Sequence, residues 1–233
     1  MWDAQNGGVT NIPIDYPLLN ADPGFGFFGL GFTGLMSNGS TDYLNLIQDE
    51  DNSDTEIIAG GAVGLLTFNN VAKGDPYTNN NTQQNGFQFG LNVNQNTDPF
   101  VYEGKLLGPI FNSTPQQYQS AGIYIGTGNQ SDYLKVVING NGPTTGIQIL
   151  YEEADAIADN QDLTINNIGF ESEISLFMEI TPSSGQVQVQ YAIGNNTPQN
   201  IGQPVQLQGN VLNALQSNQA LAIGIINLSQ IGW

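Results

Sequence analysis

Short apolar runs rich in β-branched and aromatic residues recur along this chain at fairly even spacing, at 62–68, 86–93, 100–107, 122–125, 133–138, 146–151, 174–180, 186–191 and 220–226. Each is bounded by Gly, Asn or Pro, the punctuation of strands and turns. The run 186–191 alternates strictly. Its Val187, Val189 and Tyr191 are expected on one face and its glutamines toward water or a groove. Ser183-Ser184-Gly185 supplies the turn that joins it to 174–180 as a hairpin. Only 211–216 reads as a helical turn, too short to change the class. The polar stretches 72–85 and 155–167 read as loops. The first 56 residues are irregular and Gly-rich, yet apolar enough to demand burial, so they are expected to add a strand or two to the same unit. The pattern predicts an all-β chain, a two-sheet antiparallel β-sandwich forming one domain over residues 1–233.

Charge narrows the function. Among 233 residues there are 21 acidic side chains and three lysines (Lys73, Lys105 and Lys135), no arginine and no histidine, for a net charge of −18. Phosphate backbones and anionic membrane surfaces both need Lys or Arg, so nucleic acid and membrane insertion are set aside as partners. So acidic a chain fits surroundings where salt or divalent cations screen it, which points to a secreted or cell-surface protein. Without cysteine or histidine, any bound metal must be a hard cation held by oxygen ligands. Met1-Trp2-Asp3 opens without a charged n-region or apolar h-region, and Gly232-Trp233 ends abruptly, as expected of a part of a larger multidomain chain.

From about Gly60 onward the order of segments resembles the concanavalin A-like lectin/laminin G-type jelly roll of large secreted bacterial proteins. The stretch Ala121-Gly122-Ile123-Tyr124-Ile125-Gly126 through Asn129, Asp132, Tyr133 and Leu134 to Val137 carries the likeness. It is similar to that family's central hairpin, an apolar strand, a short polar turn and a Tyr-bearing return strand, flanked there by strands of the character of 146–151 and 174–180. The resemblance implies a curved two-sheet sandwich whose members often bind sugars, frequently with calcium, and sometimes hydrolyse them or merely space other domains.

Calcium is the expected cofactor. Asp49, Asp51 and Ser53, with Asp54, set oxygen ligands at alternate positions of an acidic turn. This is not an EF-hand, because Asp54 replaces the turn glycine and the twelfth position falls on Gly60. A solvated acidic loop is the alternative reading. A second cluster, Glu152, Glu153, Asp155, Asp159 and Asp162, collects a cation or decorates a turn. For the ligand, Asp75, Tyr77, Asn79, Asn80 and Asp132 combine an aromatic face, amides and carboxylates, the groups that stack on a sugar and bond its hydroxyls, with an Asn-rich solvated loop as the alternative reading of the segment around Tyr77. The hairpin-like segment 40–47 echoes 130–138, each with Asp at the turn.

Catalysis finds less support. Jelly-roll glycosidases place carboxylates as E-x-D-x-x-E on one strand, and here Glu153 and Asp155 match while Ala158 stands where the acid/base should be. Glu171 and Glu173 would share one face of a strand, with no third partner. The expectation is therefore a non-catalytic module that binds carbohydrate or a cell-surface glycan. Its rivals are a structural spacer or protein-interaction module and a polysaccharide-degrading enzyme.

Overall fold

The structure, a computed structural model, describes residues 2–3, 8–9, 32, 34–37, 56–60, 65–69, 71, 73–111 and 114–229. In chain order the strands are β1 (Trp2–Asp3), β2 (Gly8–Val9), β3 (Gly34–Leu35), β4 (Glu56–Gly60), β5 (Leu65–Asn69), β6 (Asn85–Asn92), β7 (Phe100–Leu107) and β8 (Ser120–Gly126). Then come β9 (Tyr133–Asn141), β10 (Thr144–Glu153), β11 (Ala156–Thr164), β12 (Glu173–Thr181), β13 (Gln186–Ile193), β14 (Gln199–Asn200), β15 (Val205–Gln206), the helix α1 (Gly209–Gln216) and β16 (Ala220–Leu228). A seven-stranded sheet runs β11-β10-β9-β8-β16-β6-β3 and faces a five-stranded sheet β14-β13-β12-β7, in which β15 also pairs with β13. All the ladders are antiparallel. Two small hairpins, β1-β2 and β4-β5, form separate sheets.

The two sheets differ in how they meet water, and this difference explains two patterns in the sequence. The main core lies between them: Ile123, Ile125, Val136, Ile147 and Ile149 from the larger sheet meet Ile174, Leu176, Met178, Val187 and Val189 from the smaller. Each such side chain stabilises the fold by roughly 1.5–3 kcal/mol through burial alone. Among the described residues the smaller sheet is covered on that face only, so β13 buries Val187 and Val189 while Gln186 stays exposed, which is the alternation the sequence displays. Strand β7 does the same with its odd-numbered residues exposed. The central strands of the larger sheet, β8, β9 and β10, are buried on both faces. Tyr124, Tyr133, Val137, Leu150, Ile226 and Leu228 form a second cluster on its outer face with Met36, and every residue of β8 is buried. A strand enclosed on both sides carries no period-two signature, hence the unbroken run Tyr133–Ile138.

Helix α1 turns its Val211, Ala214 and Leu215 into the core, the i, i+3, i+4 spacing of one helical face. Its N-terminal cap comes from another element: the Glu153 carboxylate at the end of β10 accepts the amide hydrogens of Asn210 and Val211, placing negative charge at the positive end of the helix dipole. Gly209, at φ +52°, lies against that carboxylate where a Cβ would collide with it.

Several sequence expectations are corrected. The stretch 155–167 is mostly strand, since β11 pairs with β10 along its length after a two-residue turn. Ala154 and Asp155 both have positive φ, 52° and 62°, as a type I′ hairpin turn requires. An edge strand flanked by solvent needs few apolar residues, so its composition imitates a loop. The 174–180 strand does not flank the β8-β9 hairpin: it is β12 of the opposing sheet, and the hairpin's neighbours are β16 and β10. Strand β3 joins the larger sheet beside β6, whereas 40–47 lies outside the described residues.

Candidate ligand-binding site

Four connections meet at one end of the sandwich: the 73–85 segment, the β8-β9 turn, the β10-β11 turn and the start of α1. The first contains a 3-10 turn, Thr78–Asn80. Asn81 Nδ2 donates to Asp155 Oδ1 (2.9 Å) and to Ser131 Oγ (3.4 Å), and the Asp155 amide donates to the Ser131 carbonyl at 3.0 Å. Gln130 clamps the segment further down: its Nε2 donates to the carbonyls of Gln83 and Met36, and its Oε1 accepts the Gln83 amide.

Below the turn lies a buried ionic cluster on the outer face of the larger sheet. The Lys135 side chain is 3% exposed, and its Nζ stands 3.8 Å from Asp75 Oδ1. Glu152 is buried. Its Oε1 accepts the Thr78 amide (2.9 Å) and the Tyr133 hydroxyl (3.1 Å), and its Oε2 has no hydrogen-bond partner. Burial holds the Lys135 ammonium below the ordinary lysine range, against the pull of Asp75 and Glu152. Burial likewise raises Glu152 above the usual carboxylate range, opposed by the bonds from Thr78 and Tyr133 and by Lys135. The Tyr133 hydroxyl is pushed well up, first by burial and then by the adjacent Glu152 charge.

This cluster fixes a strained turn from beneath. Thr78 and Asn81 have φ of 51° and 37°, and positive φ at a β-branched residue costs on the order of 1–3 kcal/mol. The buried bond from the Thr78 amide to Glu152 offsets that strain. Above it, Tyr77 is 40% exposed, and Asn79 and Asn80 are exposed.

Of the five residues expected to bind ligand, Tyr77, Asn79 and Asn80 face solvent together. Asp75 turns inward, accepting the Tyr77 amide at 3.0 Å and facing Lys135. Asp132 is buried, with Oδ1 taken by the Ala154 amide (2.8 Å) and Asn210 Nδ2 (3.0 Å) and Oδ2 by Asn129 Nδ2 (3.1 Å). It ties three connections together. Asn81, Ser131 and Asp155 complete this end, and nothing local in the sequence marks them as neighbours, because they come from three separate connections.

The proposed calcium ligands Asp49, Asp51, Ser53 and Asp54 lie outside the described residues. Among the described residues no group of three or more acidic side chains is placed to hold a metal ion. In the second acidic cluster Glu152 is buried against Thr78, Glu153 caps α1 and Asp155 receives Asn81. The 153–158 segment spans a hairpin turn, so Glu153, Asp155 and Ala158 do not lie along one strand. Glu171 precedes β12, at the end of a 3-10 turn (Ile168–Phe170), and does not share a strand face with Glu173.

A shallow depression opens on the outer face at the free edge of the larger sheet, lined by Asn139, Asn141, Thr144, Gly146, Asp162 and Thr164. Its volume of about 20 Å³ holds a water molecule or two, so it does not enclose a sugar ring.

The architecture is the two-sheet jelly roll of the concanavalin A-like kind. No protein-family model matches the chain, and no curated protein matches it in sequence. Among solved structures, a GH43 protein from Bacillus licheniformis aligns with 80% of this chain and 34% of its own, at 13% identity and a TM-score of 0.54. A legume lectin-like domain from Entamoeba histolytica aligns over 76% of this chain and 81% of its own, with 10% identity and a TM-score of 0.46. A Bauhinia forficata lectin solved in complex with GalNAc aligns over 77% and 87%, with 10% identity and a TM-score of 0.43. These likenesses concern the fold alone. The chain spans about a quarter to a third of the length of the GH43 proteins it matches.

Proposed function

We propose that the chain is a non-catalytic carbohydrate-binding module of a secreted or cell-surface protein, with Tyr77, Asn79 and Asn80 as its contact surface. One observation carries the reading: an exposed aromatic and two exposed amides share a turn whose backbone is strained and held from below by a buried carboxylate. An aromatic ring stacks on the apolar face of a sugar while amides bond its hydroxyls, and a turn already fixed in place loses little entropy on binding. The lectin-like architecture is consistent with this use but does not decide it.

Calcium belongs to the same proposal, with Asp49, Asp51, Ser53 and Asp54 as its ligands. At about 5 mM calcium and a hundredfold lower Kd, binding to the folded state adds about 2.7 kcal/mol, which raises Tm by several degrees. A melting curve unmoved by chelator ends the calcium claim.

A glycan array with and without calcium tests the sugar. Tyr77→Ala should weaken any bound glycan about tenfold or more while leaving Tm unchanged, since the ring is exposed. An array silent under both conditions favours the spacer reading. Released product from a polysaccharide favours the enzyme reading.

A further inference from the structure

The sandwich has four sheet ends, and three of them are poor templates for another chain. Strands β3 and β14 are two residues long. Strand β11 carries Asp159 and Asp162 and no basic residue, and a clasp closes over it, Gln161 Oε1 accepting the Gln203 amide (2.7 Å) and its Nε2 donating to the Gln203 carbonyl (3.1 Å). Strand β7 is different. It is eight residues long, contains no proline, and among the described residues has β12 as its only neighbour in the sheet.

Which of its main-chain groups remain open follows from the ladder. The Gly108 amide donates to the Ser172 carbonyl at 3.0 Å, continuing the β7-β12 register in which Leu107 faces Glu173 and Leu106 faces Ile174. In an antiparallel pair, hydrogen-bonded positions alternate, so the even-numbered residues of β7 bond to β12. The amides and carbonyls of Val101, Glu103, Lys105 and Leu107 therefore point out of the sheet edge. The side chains of these same four residues are exposed. Val101 is 57% exposed and Leu107 51%, two exposed aliphatic residues on an edge that no described strand pairs with, which natural proteins ordinarily blunt.

The order of the four side chains names the partner. Read in either direction the edge runs apolar, charged, charged, apolar, with opposite charges in the middle. We propose that β7 pairs antiparallel with β7 of a second copy of this chain about a two-fold axis at Gly104, joining the two five-stranded sheets into one continuous sheet. In this register Val101 faces the partner copy's Leu107, and Glu103 faces its Lys105. These outward-facing pairs are all odd-numbered, the positions whose amides and carbonyls point out of the edge, so each can exchange two main-chain hydrogen bonds. A two-fold contact must be complementary to itself, and shifting the register by two residues would set Val101 against Lys105 or Glu103 against Leu107. On the inner side, Tyr102 would lie across from the second copy's Leu106, covering two side chains now only half-buried. Gly104 carries no side chain because Ile123 of the opposing sheet occupies the place of its Cβ, and this leaves the axis free of obstruction.

Sedimentation velocity across a wide concentration range, at physiological salt so that the charge of −18 is screened, reads the association directly. The wild type should move toward twice the 25.0 kDa of one chain. Lys105→Glu puts like charges face to face twice per dimer and should weaken association about tenfold, and adding Glu103→Lys should restore it. Glu103→Pro removes an outward-pointing amide and, within the chain, the bond from the Ser175 hydroxyl to the Glu103 carboxylate, while every main-chain bond between β7 and β12 stays, so it should abolish the dimer and leave the far-UV spectrum intact. A wild type that stays monomeric throughout, or a dimer unaffected by Lys105→Glu and Glu103→Pro, overturns the proposal.

Discussion

Asp75→Asn separates the structural from the binding role of the 73–85 segment. Asparagine keeps the side-chain oxygen that accepts the Tyr77 amide but removes the anion 3.8 Å from a lysine that is almost wholly buried. At that distance and an effective dielectric near 20, the Coulomb attraction is about 4 kcal/mol. Two effects reduce the net loss. Neutralising Asp75 also ends the desolvation of its own charge, and Glu152 remains as a second anion near Lys135. A destabilisation of about 2–3 kcal/mol follows, at or below the lower end of what breaking a buried ion pair costs. With a urea m-value of about 3 kcal/mol/M for a chain of this size, the midpoint should fall by roughly 1 M at unchanged m. Circular dichroism in the far and near ultraviolet should report the same midpoint if unfolding is two-state.

The dependence on pH adds a second signature. Lys135 binds its proton less tightly in the folded state than in the unfolded one. Stability is therefore lowest while Lys135 is charged in both states, and rises as pH climbs from its folded pKa toward the ordinary lysine value. Removing Asp75 takes away an attraction that held the proton, so the window in which stability rises opens at lower pH than in the wild type. A midpoint shift under about 0.3 M, or a pH profile parallel to that of the wild type, would refute the assignment of Asp75 as the counter-ion of Lys135.

Three further changes probe other parts of the structure. Glu153→Ala removes the cap of α1, and should cost about 1–2 kcal/mol in urea unfolding with faster amide exchange confined to that helix. Gly104→Ala pushes a methyl group into Ile123; overpacking of this kind costs about 1–3 kcal/mol, and a neutral result would mean that the sheets separate there freely. Burial raises the pKa of Glu152, so the wild type loses stability as pH rises from the ordinary carboxylate value through the folded one. Glu152→Gln should flatten that part of the profile, as followed by Tm from pH 4 to 7.

Strand positions were legible in the sequence wherever an element's burial matches a simple period. Strand β7 occupies the 100–107 run without correction, and β13 alternates as its glutamines and valines do, because one covered face and one wet face impose a period of two. Helix α1 was visible through Val211, Ala214 and Leu215. Strand β11 was not, because an edge strand is held by its ladder to β10 and needs no apolar stripe of its own. The turn bearing Tyr77, Asn79 and Asn80 was recognisable by its chemistry. That Asp75 and Asp132 turn inward was not, because their partners, Lys135, Asn210 and the Ala154 amide, lie far away in sequence. The amino-acid sequence alone determined an all-β, strongly acidic chain without thiol or imidazole chemistry, since these follow from composition and local period. Only the tertiary structure decided which strands share a sheet, which face is enclosed twice and which edge stays open. Those depend on long-range pairing, and a hydrogen bond between strands has no preference for the side chains on either side of it.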